Sequence, residues 1–304
     1  MREKSFDRLQ VVILSVMDNA GVAYRMKEAV EQHGKYDVTS IQAVPHPQEF
    51  PHDLILKDSS ALQLYKIQSL IYEADVIHYK GDESNWYTSR NWFNLYIPPD
   101  KPIVHSAEGT GFRTKQYPRE WYNTPHKYVI CHDLLDHAED EWEYAPQPFD
   151  CDDSPYLWEM KERPIVAHSP TNRDNKGTDE ILSILKELDV DIRLIENVTA
   201  SKSIEMKRDA TLFIDSIKLG GYGVSAQEAL QFGIPTISND GYSASGVMST
   251  SENLKTKLEL LFNNPELLKQ KSLESFERVK EHHGYKATGK IWTEIYDKAL
   301  SSSL

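Results

Sequence analysis

The sequence predicts an α/β protein of two doubly wound domains, and three observations predict it. Strand-sized apolar runs alternate with segments of helical period in both halves. The alternation lapses once, in a proline-bearing stretch between 144 and 164. The length of 304 residues suits two domains better than one.

In the first half, 11–16 reads as a strand and 18–21 as a turn. Val22, Met26, Ala29, Val30 and His33 then recur at helical spacing, with Gly34 behind them as a stop. Further strands are expected at 38–44, 75–79, 102–105 and 128–131, with helices at 61–72 and 86–96. Pro146, Pro148, Pro155 and Pro164 follow, where a fixed φ and a missing N–H discourage helix and inner strand alike. The boundary is placed there, giving domains 1–150 and 151–304. The second domain restarts with strands at 165–168, 191–195, 211–215 and 234–238, and helices at 179–188 and 226–232. Its tail is helical at 253–262, from Pro265 to about 282, and at 290–300.

Hydrophobic residues at 39% and charged residues at 27% indicate an ordinary globular chain. No apolar run approaches the roughly 20 residues that cross a bilayer. Arg2 and Lys4 precede the first apolar run, but Glu3 and Asp7 interrupt them, and no small-residue cleavage site follows. Cys131 and Cys151 are too few to staple such a chain, so two reduced thiols and a cytoplasmic location are expected. The net charge of −13 spreads over both halves, with 15 basic against 23 acidic residues in 1–150 and 19 against 24 in the rest. Broad salt-driven nucleic-acid binding is disfavoured, although a local patch such as Arg113, Lys115, Arg119 and Lys127 could still meet an anionic partner.

Open α/β sheets bind ligands beyond the carboxyl ends of their strands, so the loops there carry the candidate chemistry. The first such loop runs from His168 and Ser169 through Arg173 to Lys176, Gly177 and Asp179, from a strand into a helix. Free N–H groups at the helix start, the Lys176 charge, the Arg173 fork and close backbone approach at Gly177 suit a phosphate. An ordinary strand-to-helix loop with solvated cations fits the same residues. The second loop, Gly220, Gly221, Tyr222, Gly223, Val224 and Ser225, leads into a helix bearing Glu228. Glu228 could accept hydrogen bonds from a ribose diol. It could also close a capping box with Ser225, since the pair fits S-x-x-E.

Together, in this order and about 50 residues apart, these segments resemble the donor half of GT-B glycosyltransferases, particularly the retaining enzymes of glycosyltransferase family four. The resemblance covers about 163–240. It implies a GT-B fold of two Rossmann-like domains with an interdomain cleft, the first on the acceptor side and the second binding a nucleotide sugar. The last helix, about 286–300, would pack back on the first domain. Lys176 would lie on the donor's diphosphate, assisted by Arg173. Ser169, Gly177 and the turn of Gly221, Tyr222, Gly223 and Val224 would line it, and Glu228 would hold the ribose hydroxyls. In the first half, Gly21 is similar to the glycine loop near donor phosphate and acceptor. His105, opening the run His105 to Arg113, is similar to the histidine that approaches the donor sugar.

Many members carry a further glutamate ahead of the one matching Glu228, with seven residues between the two, where this chain has Gly220. A backbone group, a water or Asp215 takes its place, or the donor sugar differs from the usual hexoses.

The activity so implied is transfer of a hexosyl or pentosyl group from a nucleotide diphosphate sugar, UDP or GDP, to an acceptor hydroxyl. Retention, no metal and no cofactor are expected. The acceptor is left open among a glycan, a lipid head group, a small molecule and a hydroxylated nucleic-acid base. A GT-B isomerase or phosphorylase, and a non-catalytic nucleotide-sugar-binding regulatory protein, are the alternatives. Asp150-Cys151-Asp152 formally spells D-x-D but sits in the proline-bearing stretch, and no G-x-S-x-G elbow occurs. Trp86, Trp92, Trp121 and Tyr122 suit either acceptor stacking or core packing.

Overall fold

The structure is a computed structural model that describes residues 8–81, 87–88, 91–92, 94–114, 124–138, 141–219, 223–239, 247–248 and 252–302. The chain divides into two compact units, one of Met1–Pro148 with Tyr285–Leu304 and one of Phe149–Gly284.

In the first unit the elements are β1 (Leu9–Ser15), α1 (Val22–Glu31), β2 (Tyr36–Gln42), β3 (Leu54–Ile55), α2 (Ala61–Glu73) and β4 (Val76–Lys80). After them come β5 (Tyr87–Thr88), β6 (Asn91–Trp92), β7 (Leu95–Tyr96), β8 (Ile103–Ala107), α3 (Gly109–Arg113), β9 (His126–Val129) and β10 (Glu143–Tyr144). Seven strands form a parallel sheet in the order β10-β9-β8-β4-β1-β2-β3. Strands buried on both faces need no polar alternation, which is why Val11, Val12, Ile13 and Leu14 run together, all at 2% exposure or less. The order reverses between β1 and β4, so the loops after these strands flank the sheet's switch point.

The helix expected at 86–96 is instead three short antiparallel strands, β5 to β7. That stretch is dense in aromatic residues and threonine, which favour the extended chain, and Asn94 turns it at φ 67°.

The second unit holds β11 (Ile165–His168), α4 (Arg173–Lys176), α5 (Thr178–Leu185), β12 (Asp191–Leu194), α6 (Ala200–Lys207), β13 (Leu212–Ser216), α7 (Val224–Leu230), β14 (Thr236–Ser238) and β15 (Val247–Met248). Two helices, α8 (Leu254–Phe262) and α9 (Pro265–His283), complete it. Its parallel sheet has the order β12-β11-β13-β14-β15, reversing between β11 and β13.

Helix α10 (Tyr285–Ser301) belongs to the first unit and lies against α1. Gly289 permits the approach, because a Cβ there would sit 2.2 Å from the Ala29 carbonyl oxygen. Trp292 Nε1 donates to Pro146 O at 3.0 Å, and the Trp292 ring stacks on His78 at 5.1 Å.

Two buried histidines make this unit acid-labile. His78 bonds Tyr296 Oη at 2.9 Å and Ser106 Oγ at 2.8 Å, while His105 stacks on Tyr79 at 5.2 Å. Burial lowers the pKa of both from 6.5 to about 3, with His105 and Lys80 adding to the effect on His78 and Lys127 to that on His105. A histidine depressed on folding takes up its proton preferentially when unfolded. The stability it supports is therefore complete above about pH 6.5 and falls as pH drops toward 3. Each ring is expected to cost about 2 kcal/mol by pH 5. Denaturant melts from pH 8 to 4 check this: wild type should lose stability over the window, and His78→Gln should lose about half as much.

Candidate functional site

In the second unit the chain leaves β11 at His168 and turns through Ser169 into α4. His168 is fully buried: Nδ1 donates to Ile214 O at 2.7 Å, which leaves Nε2 to accept from Thr178 Oγ1 at 2.9 Å. This imidazole ties the first residue of α5 to β13, and burial lowers its pKa, keeping it neutral. Asn172 caps α4 by accepting from Asn175 N at 2.9 Å. Gly177 then joins α4 to α5 at φ 75°, a conformation suited to glycine. A Cβ there would meet Ile217 Cγ1 at 2.6 Å, so the turn rests directly on the exit of β13.

Asp215 organises that exit. The pairing of β13 with β14 is irregular between Ile214 and Ser216, and such an irregularity re-aims the side chain it carries. Asp215 is 1% exposed. Its Oδ1 accepts from Lys176 Nζ at 2.8 Å, and its Oδ2 accepts from Gly223 N at 3.2 Å. One carboxylate thus brings the Lys176 turn and the glycine turn together at the switch point of the sheet. Asp215 was one of the groups considered in place of a glutamate at position 220; here its two oxygens hold the protein's own groups. Gly220, Gly221 and Tyr222 lie outside the described residues, as do Trp86, Trp121 and Tyr122.

Helix α7 begins at Val224 with Gly223 as its N-cap and no side-chain capping bond. Ser225 therefore stands inside the helix, and the capping box open to Ser225 and Glu228 is not formed. The Glu228 carboxylate instead receives Lys207 Nζ through Oε2. Lys207 is fully buried at the end of α6 and also donates to Ser203 Oγ and Ser225 Oγ, each at 2.9 Å. Burial lowers its pKa, opposed first by Glu228 and then by Asp215. In the sequence Lys207 resembles any solvated lysine of an amphipathic helix, and nothing local marks it.

Arg173 turns elsewhere. Its guanidinium pairs with Glu196 at 3.0 Å and Asp179 at 2.7 Å and is 42% exposed. Asp150 and Asp152 flank Cys151, which is buried with Sγ directed to Val279 O at 3.6 Å. Among the described residues, no three His, Cys, Asp or Glu side chains are grouped to hold a metal ion. Cys131 and Cys151 are not joined in a disulfide.

In the first unit Gly21 is the N-cap of α1 at φ 68°, packed beneath Phe50. The helix start already has an anion: Asp18 accepts from Ala23 N at 2.8 Å and Tyr24 N at 3.2 Å. Lys80, wholly buried at the end of β4, joins Asp18 at 3.0 Å and Glu108 at 2.7 Å. This triad was not foreseen, because its members lie far apart in sequence and each reads locally as a strand-end or turn residue. His105 is the third residue of β8, inside the strand rather than on the loop after it.

Two units, each built on a Rossmann-like parallel sheet, define an α/β protein, and its fold is that of the GT-B class. The chain is similar to the lipopolysaccharide outer core galactosyltransferase WaaB in its apo form, with TM-score 0.59, 9% identity, and 97% of this chain and 100% of that one covered. It is similar to WaaG, a glycosyltransferase involved in lipopolysaccharide biosynthesis, with TM-score 0.58, 12% identity, and coverage of 94% and 99%. UDP-GlcNAc 2-epimerase from Neisseria meningitidis, bound to UDP-GlcNAc, gives TM-score 0.54, 12% identity, and coverage of 95% and 100%. No protein-family model matches the chain, and no curated protein matches it by sequence. Among the described residues, no helix is long and apolar enough to cross a membrane.

Proposed function

We propose that the protein is a glycosyltransferase that moves a sugar from a nucleotide diphosphate sugar, UDP- or GDP-linked, to an acceptor hydroxyl with retention. The observation that carries this reading is the convergence of Lys176 and the Gly223 turn on Asp215 at the switch point of the second sheet. There a diphosphate would meet an oriented ammonium, the Gly177–Thr178 backbone after Ser169, and the N–H of Val224, which the first turn of α7 cannot satisfy, while Asp215 holds the N–H of Gly223. Gly221 and Tyr222, just before Gly223 in the chain, are assigned to the donor by the resemblance. Glu228, deeper on α7, is assigned to the ribose hydroxyls.

The chemical demand is charge on the departing diphosphate. Fixed donors aimed at developing charge lower the barrier more than mobile water can, and the reading gives that work to Lys176 and peptide N–H groups rather than to a metal ion. Arg173 would contribute only by leaving Glu196 and Asp179. His105 would contribute as a neutral ring, since burial removes its charge at pH 7. Gly21 is assigned near the donor phosphate and the acceptor, where Asp18 already fills the start of α1. WaaB and WaaG support the transferase reading, with the acceptor left among glycan, lipid head group, small molecule and hydroxylated base.

The fold shared with a UDP-GlcNAc 2-epimerase favours a sugar-nucleotide isomerase as the second reading. A thermal-shift screen against UDP, GDP and their sugars is the test. A ligand at about 100 times its Kd should add about 2.7 kcal/mol, or roughly 5–10 °C. If no nucleotide diphosphate or its sugar raises the melting temperature, both readings fall. Incubating the stabilising sugar nucleotide without acceptor then separates them, because an epimerase consumes it alone.

A further inference from the structure

We infer that Lys207 is a positioning residue that fixes the Glu228 carboxylate so that it can accept hydrogen bonds from the ribose hydroxyls of a nucleoside diphosphate. The inference rests on the assignment of Glu228 made above and adds a residue that touches no ligand.

The ammonium of Lys207 has three N–H groups, and Ser203 Oγ, Ser225 Oγ and Glu228 Oε2 take them. With no exposure and no donor left, Lys207 cannot bind a ligand itself. It can set the charge and direction of the one side chain that reaches the surface of the cluster: Glu228 commits Oε2 to Lys207, which leaves Oε1 for a second partner. Ser225 accepts from Lys207, so its own proton is directed to another acceptor, from the first turn of α7. The Phe213 ring lies 5.3 Å from the ammonium and closes the cluster from water.

Stability alone is a poor reason for this arrangement. A buried ion pair costs two desolvations, and an apolar pair of equal volume serves packing as well or better. The pair is also coupled to the diphosphate end, since Asp215 attracts the Lys207 ammonium and Lys176 repels it. Lys207, Glu228, Asp215 and Lys176 therefore form one electrostatic cluster along the carboxyl edge of β13.

The experiment measures Kd for UDP and 2′-deoxy-UDP, and for GDP and 2′-deoxy-GDP. The wild type should prefer the ribo form of its nucleotide about tenfold or more, as expected for a hydrogen bond to a charged group. In Lys207→Met the Glu228 carboxylate loses the ammonium that holds Oε2, and the preference should fall several-fold, more than the affinity for the deoxy form falls. A folded Lys207→Met with the wild-type preference overturns the inference.

If that variant does not fold, Glu228→Gln and Lys207→Met/Glu228→Gln decide. Equal preference in the two supports Lys207 acting only through Glu228, and a further loss in the double variant overturns it. A wild type that does not distinguish ribose from deoxyribose overturns the Glu228 assignment and this inference together. A wild type that does, with Lys207 variants that match it, overturns this inference alone.

Discussion

Lys176→Ala is expected to lower kcat/KM for nucleotide-sugar turnover by about 10²–10³-fold, the usual cost of removing one donor aimed at developing charge. Among the described residues Lys176 is the cation that Asp215 holds by an ion pair, and Arg173 is taken up by Glu196 and Asp179. The substitution has a second effect that must be separated from the first. Asp215 is 1% exposed, and without Lys176 its carboxylate keeps only the Gly223 N–H. An uncompensated buried charge costs several kcal/mol, upward of 3 at full burial. Lost activity in the single variant could then reflect lost fold. Lys176→Ala/Asp215→Asn removes both charges and should regain most of the melting temperature without regaining turnover or nucleotide diphosphate affinity. Unchanged affinity and turnover in a folded Lys176→Ala would remove the assignment.

The second unit was legible in the sequence because its signals are local. Strands β11 and β13 carry runs such as Val166-Ala167 and Leu212-Phe213-Ile214, buried on both faces, and glycine at 177 announces a turn that needs positive φ. The site was legible only as far as each loop could be read alone. The turn with Lys176 and the turn before Glu228 could be found by spacing, but the group joining them could not. Asp215 ends an apolar strand, and its aim comes from an irregularity of pairing with β14. The S-x-x-E pattern at Ser225 pointed to a helix start two residues late, because the helix begins at Val224 and Lys207 takes the carboxylate that a capping box would use. The segment 86–96 failed for the opposite reason: apolar residues at mixed spacing fit a helix, and β-propensity decides between the two. Buried ion pairs are hidden most completely. Lys80 ends the run Val76-Ile77-His78-Tyr79, where a lysine is normally taken to reach for water, and its partners Asp18 and Glu108 come from two other strand ends.

That triad carries the largest stability effect expected of a single substitution. Lys80 lies at 0% side-chain exposure between carboxylates at 3% and 10%. Burial alone would lower its pKa, but Glu108 and Asp18 outweigh desolvation and raise it, so the ammonium is charged throughout the physiological range. Lys80→Met keeps most of the side-chain volume and leaves two carboxylates facing one another with no cation between them. Asp18 keeps the N–H groups of Ala23 and Tyr24, which restrains the loss. The expected cost at pH 7 is about 3–5 kcal/mol, or roughly 6–20 °C in melting temperature. Removing a carboxylate identifies the cause, because a packing defect would be indifferent to the charge that remains. Lys80→Met/Glu108→Gln removes one of the opposed charges and should recover part of the loss at pH 7. A single variant within 1 kcal/mol of wild type would mean that the three side chains are solvated and that the switch point of the first sheet is open to water.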